Sequence, residues 1–156
     1  MPHIHEKIDF TVEVFIVHQG RVLLRKHDKY KIWLSVGGHI ELDEDPTQAA
    51  MREVLEEVGI HITLLGDIPQ TEQHETNREL LAPRYLNRHR ISDTHEHVTF
   101  IYFATSDTRE TTEQATDERS EEMRWFSDEE LDKPEYGIRD NVRFYAHQAI
   151  NSATYV

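Results

Sequence analysis

The stretch that decides the fold is Gly38-His39-Ile40-Glu41-Leu42-Asp43-Glu44-Asp45-Pro46-Thr47-Gln48-Ala49-Ala50-Met51-Arg52-Glu53-Val54-Leu55-Glu56-Glu57-Val58-Gly59-Ile60. Asp45 and Pro46 make a helix start: the carboxylate can cap the first free amides, and proline suits the first helical position. Gln48, three residues after Asp45, completes a capping-box pattern. Gly59 supplies the residue that turns left-handed most easily just past a last turn. Between these marks Met51, Val54, Leu55 and Val58 fall at i, i+3, i+4 and i+7, which predicts one apolar stripe packed into a core. Arg52, Glu53, Glu56 and Glu57 fall on the opposite side, so three carboxylates are expected to project together.

Carboxylates one turn apart repel, at a cost of about 0.2–0.5 kcal/mol per pair. Arg52 can pair with Glu56 at i+4 and offsets part of this. Taken alone, an E-x-x-E-E run is most often a solvated helix face. A hard cation gives it another meaning, because Mg²⁺ takes oxygen ligands, one or two carboxylates together with phosphate oxygens and waters.

The flanking pattern favours the second meaning. Gly38, Glu44, Arg52, Glu53, Glu56, Glu57 and Gly59, with aliphatic Val54 and Ile60, match the signature of the Nudix hydrolases at every specified position. At average residue usage such a run is rarer than about one in ten million at a given start. Where that family often has proline, this chain has Val36, and Leu42-Asp43 stand in place of a Pro-Gly pair; these departures bear on loop stiffness more than on ligands. The resemblance implies that Glu53, Glu56 and Glu57 hold Mg²⁺ or Mn²⁺, joined by a backbone carbonyl of Gly37 or Gly38. It implies that Arg52 orients the carboxylates and that Glu44 pairs with Arg52. It also implies hydrolysis of a diphosphate bond in a nucleoside diphosphate linked to another moiety, with water attacking phosphorus. The family does not fix the proton acceptor. Glu121 and Glu122 are the first candidates, Glu118 and Glu96 weaker ones, and Glu53 could serve instead. Two other classes stay open: a Nudix-like domain that binds nucleotides without hydrolysis, and an isoprenoid diphosphate isomerase. The isomerase relies on a catalytic cysteine that this chain lacks.

Composition bounds the rest. The 156 residues, with no cysteine and a formal net charge of −13, predict a single domain over residues 1–156, without disulfides or thiolate chemistry. The acidic balance argues against a nucleic-acid partner, which needs a basic footprint. It permits a small phosphorylated ligand when bound cations invert the local charge. No run is apolar and long enough for a signal peptide or a membrane span, so a cytoplasmic protein without membrane contact is expected. The resemblance adds a homodimer as a possible partner state.

Outside the decisive stretch the chain reads as a mixed α/β domain, and the element order resembles the Nudix fold, a mixed sheet between helices. Residues 11–17 and 21–26 predict a hairpin about His18-Gln19-Gly20. Residues 33–40, 60–65 and 83–91 predict further strands, and 98–104, apolar on both faces, a central one. An acidic loop is expected over 106–122, a short strand over 123–126, a helical turn capped by Ser127, and a last helix carrying Ile138, Val142, Tyr145, Ala146 and Ala149. Arg84, Arg88 and Arg90 alternate, which would place them on one face as phosphate or ribose contacts, or simply on a solvated one. Arg25 has the same standing, as does Lys26. Trp33 and Tyr85 could stack on a base, though aromatics beside strands are more often core. His95 and His97 should share one side of a strand start, where a transition metal is one reading, a contact to the substrate's base or leaving group a second, and an ordinary polar strand start the third.

Overall fold

β1 (Ile8–His18) is the spine of the molecule, and from Thr11 to Val17 its β-branched and aromatic side chains are buried on both faces. The computed structural model describes residues 4–72, 74–112 and 120–154. Along one edge β1 pairs in parallel with β7 (Glu96–Ser106), from Ile8↔Glu96 to Val17↔Thr105. Its other edge is divided: Thr11–Val14 pair with β4 (Val36–His39), and Val17 and His18 with β2 (Arg21–His27). The outer edge of β7 is divided likewise between β6 (Tyr85–Arg90) and β5 (Ile62–Leu64). β2 also carries β3 (Trp33–Leu34) and β8 (Ser120–Ser127), which completes an eight-stranded mixed sheet.

Strand alternation sorts the side chains into two cores. Val12, Val14, Ile16, Tyr102 and Ala104 cluster with α1 (Pro46–Val58). Phe15, Val17, Ile101 and Phe103 cluster with α2 (Asp140–Ala153). Trp33 packs edge-on against Phe126 with centroids 4.9 Å apart, and Tyr85 lies among Phe103, Phe144 and Tyr145. Both aromatics are therefore core members, not base-stacking platforms. The expected α/β architecture, a mixed sheet between helices, is what the chain adopts.

The punctuation of α1 works as its residues dictate. Asp45 accepts hydrogen bonds from the Thr47 and Gln48 amides at 2.8 and 2.9 Å, and the Gln48 side chain accepts from the Asp45 amide at 2.9 Å. Gly59 takes φ 67° and donates its amide to the Leu55 carbonyl. The packed face differs from the expected stripe. Ala49, Ala50, Val54 and Val58 are buried, but so are Glu53 and Glu57, while Met51 and Leu55 are 42% and 41% exposed. The helix is rolled toward its alanines, and two carboxylates are drawn inward because arginines and a glycine loop receive them.

Two boundaries also move. Glu121 and Glu122 belong to β8, which starts at Ser120, and not to the preceding loop. Ile138 packs in the core just ahead of α2. Glu118 lies outside the described residues.

Candidate active site

Arg52 is the hub of the acidic face. Its Nε and Nη2 donate to the two Glu44 oxygens at 3.0 and 2.6 Å, a bidentate pair. Nη1 reaches Glu53 Oε1 at 3.0 Å and Glu56 Oε2 at 3.2 Å, and Nη2 also reaches the His39 carbonyl at 3.0 Å. The Glu44 hydrogen bond, opposed by burial and helped by the charge of Glu53, raises the Arg52 pKa above its ordinary value. The same Arg52 bond, opposed by partial burial, pulls Glu44 below the usual carboxylate range. One guanidinium thus fixes three carboxylates and the loop that faces them.

Glu57 has a cation of its own. Its Oε1 accepts from Arg25 Nη2 at 2.8 Å, and Oε2 accepts from the Gly37 amide at 3.1 Å. Both side chains are almost fully buried, at 4% exposed for Arg25 and 5% for Glu57. The glycines are required by contact: a Cβ on Gly38 would sit 2.3 Å from Glu53 Oε1, and one on Gly37 only 2.0 Å from the Val12 carbonyl oxygen. Gly37 and Gly38 therefore let bare backbone lie against β1 and against a glutamate.

Beside this loop opens a cleft of about 220 Å³, lined among others by Thr11, Glu13, Arg25, Tyr30, Gly38 and His97. A larger hollow of about 450 Å³ lies elsewhere, by Arg84, Phe103 and Ser152. None of the glutamates of α1 lines it, whereas the smaller cleft is lined by Gly37 and Gly38 beside them. Burial raises the pKa of Glu13 in the cleft, against the lowering effect of a 3.2 Å bond from Ser35 Oγ. Burial, together with the neighbouring imidazoles of His39, His89 and His95, pulls His97 down to about 4. It is a neutral ring at neutral pH.

The other candidates scatter. Arg25 lies beneath the loop against Glu57 and is not on a solvated strand face. Lys26 Nζ stands 4.0 Å from Glu121, on the rim. Arg84, one residue ahead of β6, stacks over Phe103 at 6.0 Å. Register places Asn87 and His89 on the cleft face opposite Thr99 and His97, so Arg88 and Arg90 point to the reverse face, where they border a separate depression with Lys7. Arg88 is held there by Glu96. The three arginines do not form one phosphate-binding row at the cleft. Glu121 lies 3.3 Å from Lys31 Nζ and alternates with Met123, whose side chain packs against the α1 core. Glu122 alternates onto the other side of β8. Ser120, which accepts from Arg25 Nη1 at 3.4 Å, ties the start of β8 to Glu57 through that arginine.

Several site residues escaped the sequence. Glu13 had a signal, a lone charge inside an apolar strand. Asp9, His39 and His89 had none, because strand register alone brings them to His95 and His97.

Comparison with known proteins agrees with this geometry. The NUDIX domain family model matches residues 9–148. The CTP pyrophosphohydrolase of Escherichia coli (strain K12) is 30% identical over 99 residues, 59% of this chain and 73% of that protein. A NUDIX-family hydrolase from Clostridium perfringens superposes with TM-score 0.79 at 33% identity, covering 92% of this chain and 96% of its own. A MutT NUDIX hydrolase from Burkholderia pseudomallei shares the fold at TM-score 0.66 and 22% identity, over 92% and 98% of the two chains. With its helix of glutamates, its arginine hub and its glycine loop in place, the chain belongs to the Nudix family as a pyrophosphohydrolase.

Proposed function

We propose that this protein hydrolyses a diphosphate bond in a nucleoside diphosphate linked to another moiety, using a divalent cation, Mg²⁺ or Mn²⁺. The observation that carries the reading is the pair of buried carboxylates, Glu53 and Glu57, beside a glycine loop in which an added Cβ would strike Glu53 or β1. The donor set is all oxygen, which suits a hard cation. Glu53, Glu56, Glu57 and the Gly38 carbonyl would hold it, and bound there it would neutralise phosphate charge and acidify a water.

The chain's own groups do the remaining work. Arg52, locked to Glu44, holds Glu53 and Glu56 at fixed spacing, and Arg25 does the same for Glu57. The neighbouring cleft receives the nucleoside portion, with Tyr30 on its rim and Glu13 at its floor. Among the proton acceptors, Glu121 is favoured over Glu122, because alternation puts it on the α1 side of β8. Glu96 is disfavoured, since Arg88 already engages it. The similarity to a CTP pyrophosphohydrolase makes nucleoside triphosphates the first substrates to test. A cytoplasmic enzyme acting on small molecules is part of the same proposal; among the described residues no helix is long and apolar enough to cross a membrane.

The test is a phosphate and pyrophosphate release screen over nucleoside triphosphates, nucleotide sugars, ADP-ribose and dinucleoside polyphosphates, with Mg²⁺ and with chelator. Glu56→Gln, at a half-exposed position, should fold normally and lose about a hundredfold or more in rate, the size of a lost charge-stabilising contact. Unchanged turnover would remove the glutamate cluster from the mechanism.

A further inference from the structure

A second group of metal-ligating side chains lies where the start of β1 meets β7 and the end of β4, and the reaction proposed above makes no use of it. Asp9 stands opposite His97 across the parallel β1–β7 pair, and His95 comes two residues earlier on the same side. One donor atom from each of Asp9, His95 and His97 lies within 4.8 Å of the others. His39, opposite Thr11 on β4, brings its Nε2 to 3.1 Å from Asp9 Oδ2. We infer that Asp9, His95 and His97 form a binding site for a divalent first-row transition cation such as Zn²⁺, with His39 at the fourth position.

Several separations are those found around a tetrahedral ion, and the remaining donors of Asp9, His95 and His97, all within 4.8 Å, would draw in on binding. Metal–ligand bonds of about 2.0–2.1 Å put adjacent donors about 3.3 Å apart and the centroids of two bound imidazoles about 5 Å apart. His95 Nε2 and Asp9 Oδ2 are 3.2 Å apart. The His95–His97 and His39–His97 centroids are separated by 5.3 and 4.9 Å.

The hydrogen bonds call for a positive centre. His95 Nδ1 lies 3.3 Å from the Glu6 carbonyl, which can only accept, so this nitrogen carries the hydrogen. A neutral His95 then turns the lone pair of Nε2 toward a carboxylate oxygen, two acceptors face to face. A proton on His95 would answer that single contact. It would leave His97 Nε2 as it is, buried and, among the described residues, without a hydrogen-bond partner. A cation answers both at once, and imidazole nitrogens with one carboxylate select a transition metal over Mg²⁺. The Glu6 carbonyl on His95 Nδ1 is the outer contact that orients a metal-bound histidine. Asp9 Oδ1 accepts from the amides of Ile4 and His5 at 3.1 and 2.7 Å, so its carboxylate is held in place from behind. Such an ion would pin the segment ahead of β1 to β7 and β4 at the margin of the cleft.

The site stands independently of the diphosphate reading, and the two are separable by experiment. The full chain, stripped with chelator and kept in excess Mg²⁺ to saturate oxygen sites, is titrated with Co²⁺ while its visible spectrum is followed. One equivalent should develop the intense d–d bands of four-coordinate Co²⁺. Stoichiometric Zn²⁺ should bleach them and added Mg²⁺ should not. His97→Ala should weaken Co²⁺ binding by at least about tenfold, and Glu56→Gln should leave the bands intact. His97→Gln, closer in volume, takes the place of the alanine variant where circular dichroism shows that one unfolded. Weak six-coordinate absorption alone, displacement by Mg²⁺, or bands that survive loss of His97 would each overturn the inference.

Discussion

Removing the Arg25 guanidinium should unfold the protein more readily than removing the whole ion pair. Arg25 and Glu57 meet at 2.8 Å with 4% and 5% of their side chains exposed. Taking one partner from a buried pair leaves the other charge uncompensated, at a cost of about 3–5 kcal/mol. Arg25→Met keeps most of the volume and takes from Glu57 its buried arginine while the Gly37 amide stays in place. With a urea slope of about 2 kcal/mol per molar, typical of small domains, the midpoint should fall by about 1.5–2.5 M in chelator. The double variant Arg25→Met/Glu57→Gln should recover most of that loss, because neither member then carries an unpaired charge. Saturating Mg²⁺ should raise the single variant by about 2.7 kcal/mol at a hundred times its dissociation constant, if the carboxylates hold the ion. Urea denaturation of wild type, both single variants and the double variant closes the cycle. A loss below about 1 kcal/mol for Arg25→Met, the value of an exposed pair, would refute the claim that burial makes Arg25 the counter-charge of Glu57.

Two further outcomes are expected. Gly38→Ala should lower the hydrolysis rate by about a hundredfold or more with little loss of stability, because the added methyl meets the end of the Glu53 side chain at 2.3 Å and that carboxylate can swing away from the cluster; a kinetic assay beside thermal denaturation checks it, and wild-type turnover would contradict the close approach. His147 bonds Asp128 Oδ1 at 2.6 Å and Asp132 Oδ1 at 3.0 Å, clasping α2 to the turn after β8. Burial opposes its charge, but the two carboxylates outweigh burial and raise its pKa above 6.5. A group with a raised folded pKa stabilises fully below its unfolded value and loses that effect as pH climbs through the folded one. Comparing wild type with His147→Gln by denaturation from pH 6 to pH 9, the gap should be widest at pH 6 and shrink toward pH 9; a gap that grows with pH would reverse the assignment.

What the sequence made legible was whatever is local. The capping box of Asp45 and Gln48 and the left-handed turn at Gly59 depend on residues within four positions of each other, and both appear as read. The hairpin at His18-Gln19-Gly20 and the apolar run of β7 are local in the same sense. The helix face was legible only in part, because periodicity treats every glutamate as solvent-seeking. Glu53 and Glu57 turn inward since Arg52, Arg25 and a glycine backbone await them, and two of those three come from other elements. Arg84, Arg88 and Arg90 fail for a related reason: alternation fixes Arg88 and Arg90 on one face but does not say which face the sheet turns toward the cleft, and Arg84 lies outside the strand that would keep it in step.

The same limit explains why the histidine cluster becomes persuasive only in three dimensions. In the chain, His95-Glu96-His97 is two imidazoles without a third ligand, a pattern that any polar strand start can show. Asp9 lies 86 positions earlier and His39 on a different strand, and neither spacing resembles a metal motif. The parallel β1–β7 register, set by the apolar run Val12–Val17 against Phe100–Thr105, decides that Asp9 faces His97. A slip of one residue would turn every side chain of β1 to the opposite face, burying Glu13 in the α1 core and parting Asp9 from both imidazoles. The hydrophobic register that builds the core is therefore the same constraint that assembles the cluster. A transition-metal site there needs no motif of its own, only that the core pair correctly.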